Sequence, residues 1–169
     1  MKNHHYALAV LAGTVLLASS QVLATTTDDK TYPGMACRPT GGGSFTLDWG
    51  DIFNSGTTPM NISCPVVRDG SGVSQAVVKV LDRNPNEDLS CIVVAECATG
   101  TFFVSDESPV VGTESSYGNG FFGSNFKTLT LPAVSLPNNF PTYDYLECTI
   151  PSVYNGNYSH LISITVKET

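Results

Sequence analysis

The sequence is short of the residues on which most catalysis depends. It holds three histidines in 169 residues, and two of them, His4 and His5, stand at the extreme N-terminus. Only His160 remains for the body of the chain. A serine or cysteine nucleophile ordinarily needs a base beside it, and no GxSxG elbow occurs. No CxxC pair occurs either, which removes the common zinc frameworks. The 15 acidic residues could hold a glycosidase pair, but no spacing singles one out. The chain reads as non-catalytic, with a lone surface histidine.

Positive charge is scarce as well. Eight Lys and Arg face 15 Asp and Glu. Nucleic acid needs clustered cations to neutralise phosphates, and here Lys30, Arg38, Arg68, Lys79, Arg83, Lys127 and Lys167 are scattered. This sets aside nucleic acid and, with it, an anionic membrane surface. The acidity reads as a solubility device.

Long apolar runs are absent but for one. "MKNHHYALAVLAGTVLLASSQVLATTT" has a basic start at Lys2, an apolar stretch from about Tyr6 to Ala18, then the small-residue signal Val22-Leu23-Ala24. This is the layout of a secretory signal peptide of bacterial type, with cleavage expected after Ala24. The stretch is shorter than the ~20 residues that span a bilayer, and no cysteine follows to carry a lipid. The expected organisation is a signal peptide over 1–24, a flexible segment over 25–34 and one domain over 35–169. The product is secreted or periplasmic, without membrane insertion. Losing Lys2 leaves seven basic against 15 acidic residues, a net of −8.

No window carries a sustained helical period. Short runs rich in Val, Ile, Thr and aromatics alternate with Gly, Asn, Asp, Ser and Pro clusters. "PMNISCPVV" puts Met60, Ile62, Cys64 and Val66 on one face. "SQAVVKVLD", "SCIVVAEC" and "FKTLTLP" read as strands, and "GTFFVSD" as a hairpin return turning near Thr99-Gly100. "DYLECTIP" faces Leu146, Cys148 and Ile150 inward, and "HLISITVKE" does so with Ile162, Ile164 and Val166. "RPTGGGS" and "SYGNGFFGSN" read as flexible surface loops. Seven or more short strands without repeats indicate an all-β fold, an antiparallel β-sandwich or jelly roll.

Five cysteines, Cys37, Cys64, Cys91, Cys97 and Cys148, lie beyond the signal. In an exported protein they imply disulfides, with one thiol left over for self-association. Cys64 and Cys148 both sit on apolar strand faces shortly before a proline, so a core bridge between them is the first expectation. Cys37 would then take Cys91 or Cys97. If those two lie on one extended strand they are ~20 Å apart and cannot bond to each other.

In "LDRNPNEDLSC", Asp82, Asn84, Asn86 and Asp88 recur at two-residue spacing, the beat of a calcium loop. A calcium loop also wants glycine at position 6 and glutamate at position 12. Here those positions hold Glu87 and Val93, and Pro85 stands at position 4. The favoured reading is a turn built on Asx hydrogen bonds, with calcium as the minor alternative. No other cofactor is indicated.

Aromatics supply the remaining signal. Trp49 lies in "LDWGDIF", Tyr143 and Tyr145 alternate on the outer face of "YDYLECT", and Tyr154 and Tyr158 follow in "YNGNYSH". Ring faces with Asn and Asp nearby suit sugars, which stack on the ring and hydrogen-bond at the edge. The plain alternative is rim packing. The sequons at Asn61 and Asn157 matter only in a eukaryotic secretory pathway.

Two resemblances add to this. "MACRP", "SCPVVRD", "VKVLDRNP", Cys91 opening the next strand and "YLECTIP" together resemble a recurring pattern in small exported bacterial proteins of uncharacterised function, over roughly 35–167. The resemblance implies that Cys37, Cys64, Cys91 and Cys148 are the structural four and that Cys97 is the extra thiol. It brings no catalytic residue. More weakly, the C-terminal strand resembles that of a chaperone–usher pilin, with Gly156 ahead of alternating apolar residues. Glu168 in place of a penultimate aromatic, and a polar "TTTDDKTYPGM", depart from it. Two functions stay open: a binding module for a glycan or surface polymer, and a structural or assembly protein of the envelope or matrix, disulfide-linked or pilin-like.

Overall fold

The structure, a computed structural model, describes residues 29–67, 73–98, 103–113, 126–134 and 142–168. The expected signal peptide and the "SYGNGFFGSN" loop lie outside the described residues. Among the described residues, no helix is long and apolar enough to cross a membrane.

Two antiparallel six-stranded sheets pack face to face. In the first, β1 (Asp29–Pro33), β3 (Phe45–Asp48), β4 (Asp51–Asn54), β6 (Val73–Leu81), β10 (Phe126–Pro132) and β12 (His160–Glu168) run in the order β10-β6-β12-β4-β3, and β1 also pairs with β12. In the second, β2 (Arg38–Gly42), β5 (Met60–Val66), β7 (Ser90–Ala98), β8 (Phe103–Glu107), β9 (Val111–Gly112) and β11 (Thr142–Ile150) run in the order β2-β5-β11-β7-β8, and β9 also pairs with β7. The all-β sandwich expected from alternation is therefore the fold, and β7 and β8 pair antiparallel as expected, while the turn expected near Thr99-Gly100 lies outside the described residues.

Period-2 alternation explains the core. Met60, Ile62, Cys64 and Val66 of β5 meet Ala76, Val78 and Val80 of β6, Leu129 and Leu131 of β10, and Leu146, Cys148 and Ile150 of β11 in one buried cluster. Each large apolar side chain buried there contributes about 1.5–3 kcal/mol. Gly34, in the 3₁₀ turn Gly34–Ala36, lets that turn approach β12. A Cβ at this position would lie 2.0 Å from the Leu161 carbonyl oxygen.

Four sequence expectations need correction. The inward set on β12 is Leu161, Ile164 and Val166. A β-bulge between Leu161 and Ser163 inserts Ile162 as an extra residue, and one extra residue reverses the face of what precedes it. The segment expected to be flexible over 25–34 contributes β1, paired in register with β12 from Asp29↔Lys167 to Pro33↔Ser163. The "RPTGGGS" loop supplies β2 at the edge beside β5; Gly42 and Gly43, at φ 70° and 35°, turn the chain after it.

The fourth concerns the disulfides. The bonds are Cys37–Cys64 and Cys91–Cys148, not Cys64–Cys148. Cys148 stands directly opposite Cys91 on β7, whereas across β5 it faces Ile62, and Cys64 faces Leu146. Cys37 immediately precedes Arg38, which pairs with Ser63, and so arrives beside Cys64. Directly opposed residues on adjacent strands have the short Cα spacing a disulfide requires, here 4.0 and 4.1 Å. Cys97 sits on β7 opposite Thr142; its side chain lies outside the described residues.

Candidate functional site

The "DWGD" stretch folds as the tightest kind of hairpin. Asp48 of β3 pairs with Asp51 of β4, leaving Trp49 and Gly50 as a two-residue loop. Their φ angles are 48° and 96°, the pattern of a type I′ turn, which matches the twist of the flanking strands. Gly50 adopts this without cost, but a bulky L-residue in the left-handed region is strained. The same chain makes a second such loop with Asn155 and Gly156, at φ 48° and 74°, between the mutually bonded Tyr154 and Asn157. There asparagine fills the position that favours it. At the first loop a tryptophan fills it and is 97% exposed. Local folding gives no reason for that choice, and strain of this kind gathers where function needs it.

Neighbouring groups hold the loop in place. The Met35 N–H donates to the Gly50 carbonyl at 2.9 Å. Buried Asn54, at the far end of β4, donates from Nδ2 to the Thr58, Ile150 and Pro151 carbonyls. The Val153 N–H donates to the Gly56 carbonyl. These bonds tie the β4 end to the β11–β12 connection, which carries Tyr158. Ile52 faces the core, so Phe53 faces outward. Phe53 stands opposite His160, their rings 4.7 Å apart, and packs Tyr158 at 5.1 Å. Such tilted ring pairs hold one another in fixed poses.

The electrostatics leave this patch uncharged at its centre. Burial, and then the charge of Arg83, push the His160 imidazole down to about 4, with Asp48 opposing. His160 is therefore neutral at pH 7, and its 3.5 Å approach to Asp51 Oδ2 is a contact between a carboxylate and a neutral ring. Burial, and then the nearby Asp48, raise the Asp51 carboxyl. Among the described residues, no serine or cysteine is hydrogen-bonded to His160.

The five aromatic candidates do not converge. Trp49 and Tyr158 lie toward the β3–β4 end of the first sheet. Tyr143 and Tyr145 lie on β11, on the outer face of the second sheet. Tyr143 is exposed, while Tyr145 is partly covered and donates its hydroxyl to Glu96 at 2.8 Å. Burial and that carboxylate raise the Tyr145 phenol well above its usual range. Further along β11, a shallow cavity of about 360 Å³ is lined by Thr40, Asn61, Ile92, Val110, Glu147 and Thr149. Tyr154 belongs to the second I′ loop. Phe53 and the His160 ring face were missed by sequence reading, although "DIFN" and "HLIS" carry the alternation that turns both outward.

The four turn residues are arranged as a hydrogen-bonded turn. Asp82 is buried and its carboxylate is fully occupied. Oδ1 accepts from the Asn84 N–H at 3.1 Å and the Ser159 hydroxyl at 3.0 Å, and Oδ2 from the Leu89 N–H at 2.9 Å and the Thr113 hydroxyl. Asn84 accepts from the Asn86 N–H and donates to Glu87 and Ser152. Asn86 and Asp88 are exposed. Among the described residues, no three or more His, Cys, Asp or Glu side chains are grouped so as to hold a metal ion. The two-residue beat is a pair of successive Asx turns.

No family model matches the sequence, and no curated protein matches it. Solved structures do. The sandwich is similar to a family 6 carbohydrate-binding module. The identity is 10%, the TM-score 0.50, and the match covers 83% of this chain and 94% of that one. A low-affinity xylan-binding module from the gut symbiont Roseburia intestinalis matches at 14% identity and a TM-score of 0.41, over 82% of this chain and 94% of that one. A family two carbohydrate esterase from Cellvibrio japonicus matches at 11% identity and a TM-score of 0.48, over 85% of this chain but 34% of the esterase. At these identities the likeness is one of fold.

Proposed function

We propose that the protein is an exported, non-catalytic glycan-binding module whose site is the aromatic patch at the β3–β4 end of the first sheet. The observation that carries this reading is Trp49: fully exposed, in a strained turn position, on a hairpin braced by Met35 and Asn54. Phe53 of that hairpin, with Tyr158 and neutral His160, forms an aromatic surface. Ring faces offer flat apolar contact to the C–H face of a sugar. Asp48 and Asp51 offer acceptors for its hydroxyls at the rim. The shared fold with a family 6 carbohydrate-binding module supports the reading by analogy only. The signal-like N-terminus and the two disulfides support action outside the cytoplasm.

Affinity electrophoresis against a panel of soluble polysaccharides tests it. At least one polymer should retard the wild-type protein. Trp49→Ala should migrate freely through that gel while melting at the same temperature. A panel without retardation, or a Trp49→Ala protein that is still retarded, rejects this site.

A further inference from the structure

The strand registers of the first sheet align more than the Phe53 cluster. Phe53 of β4 stands opposite His160 of β12, His160 opposite Leu81 of β6, and Leu81 opposite Phe126 of β10. Directly opposed residues on neighbouring strands point to the same face. Ile52, Leu161 and Val80 point into the core, so their neighbours Phe53, His160 and Leu81 form an outward row that crosses the strands. Phe126 closes it, 45% exposed, with the Lys79 ammonium 4.9 Å from its ring centroid. The next outward row is Pro33, Ser163, Lys79 and Thr128, and the one after is Thr31, Thr165, Val77 and Thr130. The aromatic side chains of these three rows are thus gathered into one line, and the rows beside it are polar but for Pro33 and Val77.

We infer that the ligand is an uncharged polysaccharide, bound across the strands along the line Phe53–His160–Leu81–Phe126. This rests on the glycan reading above and narrows it. From β4 to β10 the line spans three strand spacings, ~14 Å, so a single sugar ring does not fill it. The line carries both signs: Asp48 and Asp51 stand at the β4 end, Arg83 acts on the neutral His160, and Lys79 stands at the β10 end. A chain of one uniform charge meets like charge along part of it and gains no net attraction, whereas an uncharged chain meets none.

Isothermal titration with ladders of neutral oligosaccharides, from disaccharide to hexasaccharide, reads the length of the site. The ladders are built from the polymer that retards the wild-type protein. Affinity should rise by about fivefold to tenfold along the ladder, the worth of one or two added ring contacts, and then level off. Phe126→Ala, at a partly exposed edge position, should lose the gain with length and bind the hexasaccharide no more tightly than the disaccharide. Binding that does not depend on length overturns the extended line and leaves the glycan reading standing. So does a Phe126→Ala protein that keeps the gain. Tighter binding of a uronate or sulfated polymer overturns the uncharged ligand. Absence of binding to every polymer overturns both readings.

Discussion

Thr113 donates its hydroxyl to the carboxylate of Asp82 across 31 residues of chain. That bond joins the residue after β9 to the turn between β6 and β7, and Ser159, just before β12, reaches the other oxygen. One buried carboxylate thereby holds three connections at one end of the sandwich.

Asp82→Ala should be among the most damaging single changes. It strands the Asn84 N–H and the Ser159 and Thr113 hydroxyls in a buried site and leaves the Leu89 N–H to Thr113 Oγ1 alone, and each buried donor left unpaired costs about 1–3 kcal/mol. A loss of at least ~3 kcal/mol in urea unfolding is expected, and Asp82→Asn should lose less. Because all four acceptor positions are taken, calcium or a chelator should leave the melting temperature of the wild type unchanged. A rise with calcium would show that the network gives way to a metal.

Peptide mapping under non-reducing conditions should return Cys37–Cys64 and Cys91–Cys148 and no Cys64–Cys148 peptide. Replacing Cys91 and Cys148 together by alanine removes a link across a separation of 57 residues. By loop entropy the loss is about 4 kcal/mol, against ~3.5 kcal/mol for the pair separated by 27 residues. Equal losses, or a larger one for the shorter loop, would mean that packing around the sulfurs dominates.

Trp49→Gly should separate folding from binding. Glycine accepts φ 48° without a Cβ penalty, so relief of strain should raise stability by about 1 kcal/mol, less a small entropic offset. Polysaccharide retardation should disappear in the same variant. A gain in stability with loss of binding is the signature of a residue retained for function. A Trp49→Gly protein less stable than wild type would instead make Trp49 a structural residue.

Acid should weaken the fold through His160. Its value is about 4 in the folded chain against 6.5 for an unperturbed histidine. Between those values the unfolded chain binds a proton that the folded one does not, so stability falls as pH drops from 6.5 toward 4. Asp51, whose carboxyl is raised, acts in the opposite sense at the acid end of that window and offsets part of the loss. Urea midpoints across the window should show a shallower decline in His160→Gln than in wild type. Parallel profiles would remove His160 as the cause.

Alternation made much of this legible. The faces of β5 and β11 followed from single strands, because one buried side imposes a period of two wherever the register is regular. The Asx reading of Asp82 and Asn84 followed from the missing glycine and glutamate. Partnership between strands was not legible. Cys64 and Cys148 both face the core, but which cysteine stands opposite each depends on sheet order, which no local pattern carries. The bulge at Ile162 escaped for a related reason: one extra residue leaves composition unchanged and reverses orientation. The aromatic line needed four strands in register at once, so Phe53, Leu81 and Phe126, far apart in sequence, gave no joint signal.

Trp49 is the only tryptophan in the chain, and the I′ turn holds it almost wholly in water. Its indole emission is therefore already that of a solvated ring in the native state and should scarcely move when the chain unfolds. A ligand that covers the ring would shift the emission to the blue. In this protein the optical probe normally used to follow folding is silent to folding and reports occupancy of the hairpin tip.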